Sequence, residues 1–116
     1  MNRHETINYI ELPAKDLAAI KVFFTKVFDW KFTDYGAEYI AFSDEGLDGG
    51  FYQSELISST STGSVLVVFY SDRLEDTYSK IQNAGGKILQ EVFTFPGGRR
   101  FHFSDPHGNE YAVWAK

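Results

Sequence analysis

The sequence predicts an α+β protein built from two copies of a strand–helix–strand–strand–strand unit. Three observations carry this. Two apolar stripes with helical spacing each follow an aspartate suited to cap a helix. A strand-sized segment precedes each stripe, and three more follow it, separated by Gly, Pro and Asp turn signals. Sliding one half onto the other by about 57 residues sets Leu17 on Leu74 and Phe24 on Ile81, a repeat of half-chain period. The repeat lives in element order and caps more than in residue identity.

Thr6 to Pro13 alternates as a strand, with Ile7, Tyr9 and Glu11 on one face and Asn8, Ile10 and Leu12 on the other. Asp16 is the expected N-cap of a helix whose stripe is Leu17, Ile20, Phe24, Val27 and Phe28, ending near Asp29. Lys31 to Asp34, Glu38 to Ser43 and Gly50 to Ser54 read as strands. In the second half Ser64 to Tyr70 is a strand. Asp72 with Glu75 reads as a capping box, and Leu74, Tyr78 and Ile81 form the stripe that Gly85-Gly86 ends. Lys87 to Val92, Arg99 to Ser104 and Glu110 to Ala115 complete the unit. The first module is expected over about 5–55 and the second over about 64–116 of one domain. Between them, 56–63 is a small-residue linker whose Ile57 to Gly63 stretch is expected to be mobile.

Composition narrows the function classes. With 43% hydrophobic and 23% charged residues, the chain has a globular balance. Sixteen acidic against eleven basic residues give a net charge of -5, and Arg99-Arg100 is the only basic doublet, so no nucleic-acid partner is expected. The absence of cysteine excludes disulfides, thiolate nucleophiles and Cys-ligated metal, and suits a reducing compartment. The N-terminal stretch 1–5 is polar, and no apolar run approaches the roughly 18 residues of a membrane span. A cytoplasmic protein with no membrane partner is the expectation.

The segments Ile7-Asn8-Tyr9-Ile10-Glu11-Leu12-Pro13-Ala14-Lys15-Asp16-Leu17, Phe23-Phe24, Val27-Phe28-Asp29-Trp30, Ala84-Gly85-Gly86-Lys87-Ile88 and Phe103-Ser104-Asp105-Pro106-His107-Gly108-Asn109-Glu110 occur in telling order. With the duplicated element order, they resemble the vicinal-oxygen-chelate superfamily of glyoxalases, bleomycin-resistance proteins, fosfomycin-resistance enzymes and extradiol dioxygenases. The resemblance implies two βαβββ modules forming one curved eight-stranded mixed sheet, helices on its convex side and a site on the concave face. Alternation then sends Ile10, Leu12, Val65, Val67, Phe69, Phe101, Phe103, Tyr111 and Val113 toward the helices. Tyr9, Glu11, Leu66, Val68, Tyr70, Arg100, His102, Ala112 and Trp114 face the cavity.

Metal-using members carry His, Gln or Glu ligands on the first and last strand of each module. Transferred by motif, those positions fall on Tyr9, near Leu66, on Ala112 and within Gly50 to Gln53, where no His, Asp or Glu stands. No metal ligands and no cofactor are therefore expected. A divalent metal held off-pattern by Glu11, Glu110 and His102 is the alternative. The expected ligand-binding residues are Tyr9, Tyr52, Leu66, Tyr70, Arg100, His102, Ala112 and Trp114, which favour a small apolar or planar molecule. Glu11 is the candidate catalytic group, a partly desolvated general base for a glyoxalase-like lyase, isomerase or dioxygenase. Against each stands a plain reading: a solvated carboxylate, a rim histidine, aromatic core. His107 sits in a turn and His4 in a terminal segment, and Gly49-Gly50 and Gly97-Gly98 read as turn or bulge glycines. A homodimer is expected, because the family commonly pairs and 17% aromatic residues exceed what one small core hides.

Overall fold

The computed structural model describes residues 2–116, so the first residue of the polar N-terminal stretch lies outside it. The element order is β1 (Tyr9–Ala14), α1 (Leu17–Phe28), β2 (Phe32–Asp34), β3 (Tyr39–Glu45) and β4 (Leu47–Gln53), then β5 (Val67–Tyr70), α2 (Leu74–Asn83), β6 (Lys87–Phe95), β7 (Gly98–Ser104) and β8 (Glu110–Ala115). Both halves are βαβββ modules, as the sequence predicts. They form two compact units, one ending at Leu56 and the other spanning Ile57–Lys116.

The strands hydrogen-bond as two four-stranded mixed sheets, ordered β1-β4-β3-β2 and β5-β8-β7-β6. Continuity into one eight-stranded sheet is not among these pairings. In each sheet the first strand runs parallel to the last, which places Glu11 beside Gly50 in one and Val68 beside Ala112 in the other.

In the first module Asp16 caps α1 by accepting the Ala19 N–H at 3.1 Å, and Asp29 closes it in the left-handed region. The buried side of α1 is Ile20, Phe23, Phe24 and Val27. Phe24 stacks on Trp30 at 4.8 Å and Trp30 on Phe42 at 4.3 Å, with Phe51 at 5.5 Å from Phe24. Stacked rings form the centre of this core, with Leu12, Ile20, Val27 and Ile40 buried around them.

The second module departs from expectation in three places. The residue before α2 is Arg73, which makes no side-chain cap. Ser71 Oγ accepts the Arg73 N–H at 3.0 Å, and Glu75 turns away to an ion pair with Arg99. The Asp72–Glu75 capping box is therefore absent, displaced by a nearer hydroxyl and a stronger cation. Strand β5 pairs only from Val67, so Val65 lies outside the ladder and is 84% exposed instead of facing a helix. The Ile57–Gly63 stretch is not a free linker: it belongs to the second unit and holds a 3-10 turn, Thr60–Thr62. It is tied to the start of β8 and the turn before it, because Ser58 N–H donates to Asn109 Oδ1 at 2.9 Å and Glu110 N–H to the Ser58 carbonyl at 2.8 Å. The α2 core is leaner, with Leu74, Thr77 and Ile81 facing Phe101, Phe103, Tyr111 and Val113, four residues at most 1% exposed.

Candidate functional site

In the first module the sheet face turned away from α1 carries Tyr9, Glu11, Tyr39 and Tyr52. Tyr39 reaches from β3 across β4 toward β1, and the reason is Gly50: a Cβ there would collide with the Tyr39 hydroxyl. Gly49-Gly50 are thus strand glycines that let rings cross, not turn or bulge glycines, and Gly49 makes the same room for Phe42. Tyr39 donates to Glu11 Oε2 at 2.9 Å, and the Tyr9 and Tyr39 hydroxyls meet at 2.6 Å. Burial, then the hydrogen bonds to Tyr9 and Glu11, push the Tyr39 phenol well above its ordinary pKa. It therefore stays protonated, donates to Glu11, and accepts from Tyr9. Glu11 is exposed, so the burial on which its general-base role rested is missing.

In the second module the face away from α2 carries two cross-strand rows. Tyr70, Trp114, Arg100 and Phe93 stand in register across all four strands. Tyr70 meets Trp114 edge-on at 5.0 Å, Phe95 lies 6.2 Å from Trp114, and the Arg100 guanidinium sits 5.3 Å over the Phe93 ring. One step along lie Val68, Ala112, His102 and Gln90. Ala112 is fully buried and His102 is 6% exposed, so this part of the face is closed to solvent.

The hairpin Ser104↔Glu110 sets the carboxylate diagonal to His102 on the same face. Glu110 Oε2 meets His102 Nδ1 at 2.8 Å, and Oε1 accepts the Thr60 N–H at 2.8 Å and the Thr60 hydroxyl at 2.7 Å. Burial raises the Glu110 pKa, but the hydrogen bonds from His102 and Thr60 outweigh it and bring it down to about 2. Glu110 is therefore an anion that fixes an imidazole on one side and the Ile57–Gly63 stretch on the other. His102 Nε2 and Arg100 Nε are buried without a hydrogen-bond partner, a condition that costs about 1–3 kcal/mol for a polar group.

The Asp105-Pro-His-Gly-Asn turn is structural. Asp105 accepts the His107, Gly108 and Asn109 N–H groups at 2.8, 3.0 and 3.2 Å and the Tyr111 hydroxyl at 2.6 Å. Its burial still raises its pKa. His4 pairs with Glu5 on the surface.

Of the residues expected at the site, Tyr9 and Glu11 come together, with Tyr52 on the same face. Tyr70, Trp114, Arg100, His102 and Ala112 come together on the second sheet, while Leu66 is half-buried just before β5. Sequence reasoning missed Tyr39. Its signal was the mid-strand Gly50, which marks a close approach. It grouped His102 with Glu110 and Glu11 only as an off-pattern metal set, although the β7–β8 hairpin register predicts the His102–Glu110 diagonal by itself.

A model of the Glyoxalase/Bleomycin resistance protein/Dioxygenase superfamily matches residues 6–113. The chain belongs to this superfamily. The anthracycline biosynthesis proteins DnrV of Streptomyces peucetius and DauV of Streptomyces sp. strain C5 are each 28% identical over 93% of this chain and 46% of their own length. The chain thus spans about half the length of these curated relatives. Among solved structures, a glyoxalase-related enzyme from Fulvimarina pelagi superposes with a TM-score of 0.81 at 19% identity, covering 97% of this chain and 88% of that one. The fosfomycin resistance protein FosX from Listeria monocytogenes gives 0.79 at 16% identity, covering 98% and 95%. A mutant of that Listeria protein was solved with Mn(II) and 1S,2S-dihydroxypropylphosphonic acid; it gives 0.79 at 19% identity over 97% and 91%. These likenesses establish the fold.

The divalent metal that the superfamily implies does not fit the residues present. Leu66 and Ala112 offer no donor atom, and the Tyr9 hydroxyl is engaged by Tyr39. Among the described residues no three His, Asp or Glu side chains form a metal-binding group. Nor, among them, is any helix long and apolar enough to cross a membrane.

Proposed function

We propose that this superfamily member binds a small planar, largely apolar molecule and needs no metal to do so. The observation that carries the reading is the row Tyr70–Trp114–Arg100–Phe93, three rings and a guanidinium aligned across one sheet face beside a buried histidine. Flat rings and a stacked cation recognise planar molecules by shape and dispersion, and a few fixed polar atoms orient them. Leu66 and Ala112, which bring no donor atom to two of the superfamily's ligand positions, support the metal-free part. The names of the anthracycline biosynthesis relatives support a fused-ring ligand, since compounds of that class are fused-ring aromatics. A thermal-shift panel of fused-ring aromatics, run with and without a chelator, tests this. Stabilisation that survives chelation and is lost in Trp114→Ala is expected. Stabilisation that vanishes with chelator overturns the metal-free reading.

A second reading is glyoxalase-like acid–base catalysis by Glu11, favoured by the Tyr9–Tyr39–Glu11 chain, in which a phenol held protonated orients the carboxylate. Turnover of a hemithioacetal that disappears in Glu11→Gln with binding intact would support it. Inertness of the wild type toward hemithioacetal and catechol substrates would remove it.

We also propose a cytoplasmic homodimer. Val68 and Tyr70 on β5, with Leu89 and Val92 on β6, leave apolar surface exposed. The cysteine-free composition suits a reducing compartment. Light scattering is expected to give twice the 13.2 kDa chain mass, and cell fractionation to recover the protein in the cytosol.

A further inference from the structure

We infer that the second-module site takes a planar ligand carrying a phenolic hydroxyl, which meets His102, and a carbonyl oxygen, which meets Arg100. This rests on the planar-ligand reading and adds the ligand's chemical class.

Two nitrogens on one face of β7 are buried without a hydrogen-bond partner, His102 Nε2 and Arg100 Nε. The residues are two apart, so their Cα atoms are roughly 6–7 Å apart. Both side chains are held in place. Glu110 grips His102 at Nδ1 and is itself gripped by Thr60. The Arg100 guanidinium lies over the Phe93 and Phe95 rings, at 5.3 and 6.0 Å. Donors and acceptors fixed this way select by chemistry, because they do not reorient to suit a wrong group.

With the Glu110 carboxylate on Nδ1, that nitrogen is the donor. Nε2 then carries either a lone pair or, in the imidazolium, a second N–H. A phenolic oxygen satisfies both states: the hydroxyl donates to a lone pair, and the phenolate accepts from an N–H. A carbonyl satisfies only the imidazolium. An ammonium satisfies only the neutral ring and is repelled by Arg100. Arg100 Nε only donates, so it requires an acceptor such as a carbonyl. Tyr70 and Trp114, which meet edge-on, supply an aromatic wall, and Ala112, in register between Val68 and His102, adds no polar group there. A hydroxylated fused-ring ketone or quinone has these features.

The test compares 2-hydroxyanthraquinone with anthraquinone by quenching of tryptophan fluorescence. Wild-type protein is expected to bind the hydroxylated compound about tenfold or more tighter, the scale of one hydrogen bond to a fixed or charged partner. In His102→Leu the two affinities are expected to converge. Equal affinities in wild type overturn this inference and leave the planar-ligand reading standing. Failure of both compounds to bind overturns that reading as well. An advantage that survives in a folded His102→Leu, checked by circular dichroism, overturns the assignment to His102. The wild-type comparison decides the ligand class even if that variant does not fold.

Discussion

The two modules share a topology but hold themselves together differently. The first packs rings on rings: Phe24, Trp30, Phe42 and Phe51 fill the space under α1, and its polar cluster of Tyr9, Tyr39 and Glu11 lies at the surface. The second has a leaner apolar core beside α2 and builds buried polar networks around Asp105, Asn109 and Glu110. In the first module, stability resides in shape and apolar burial. In the second, much of it resides in single polar atoms whose partners are shut away from water and cannot be replaced by solvent.

The largest expected effect breaks the first module. Phe24→Ala removes a fully buried ring that touches Trp30 and Phe51, and is expected to cost about 4 kcal/mol. Ile81→Ala, fully buried under α2, removes fewer atoms and is expected to cost about 3 kcal/mol. Urea denaturation of both variants checks the order. An Ile81→Ala cost above that of Phe24→Ala would show the second core to be the tighter one.

Glu110 and Glu11 make the contrast sharper. Glu110→Ala strands His102 and the Thr60 N–H in a buried place and is expected to cost about 3 kcal/mol. Glu11→Ala removes an exposed acceptor of one phenol and is expected to cost less than about 1 kcal/mol. Equal costs would mean that depth does not separate the two modules.

The pH dependence follows from the same carboxylate. The Glu110 pKa is about 2 in the folded protein against an ordinary 4.5. A depressed folded pKa means that the charged form stabilises the fold. That contribution, on the order of 3 kcal/mol, is complete above pH 4.5 and is lost as pH falls toward about 2. Asp105 opposes it: its folded pKa is raised, so its contribution is complete below the ordinary carboxylate value and is lost as pH rises from there through the raised folded one. The gap in Tm between wild type and Glu110→Gln is therefore expected to shrink as pH is lowered from 5 to 3. A gap constant over that range would remove Glu110 from the acid dependence.

Much of this was legible in the sequence because it is local. Spacing of Leu17, Ile20, Phe24 and Val27 specifies α1, and alternation placed Phe101, Phe103, Tyr111 and Val113 in the core. The features that escaped depend on partners distant along the chain. Tyr39 joins Glu11 only because Gly50, on the strand between them, has no side chain. The Ile57–Gly63 stretch looked like linker because its serines and threonines carry no apolar signal. Their hydroxyls and amides are instead acceptors and donors for Asn109 and Glu110, about 50 residues on.

The smallest prediction concerns the helix starts, where the two modules looked most alike in sequence. Asp16 and Asp72 both precede an apolar stripe, yet only Asp16 caps its helix, through the Ala19 N–H. The work at α2 passes to Ser71, whose hydroxyl accepts from the Arg73 N–H and bonds Thr77 at 2.8 Å. A cap lost to alanine costs about 1 kcal/mol, whereas an exposed residue away from such contacts changes stability by less than about 0.5 kcal/mol. Asp16→Ala and Ser71→Ala are therefore expected to lower stability by about 1 kcal/mol each, and Asp72→Ala to lie within about 0.5 kcal/mol of wild type. Acidic residues near the start of α2 also favour its positive end, so a small loss in Asp72→Ala that fades at high salt is the residual dipole effect. A loss of about 1 kcal/mol that persists in salt would restore Asp72 as the cap and make the two helix starts equivalent after all.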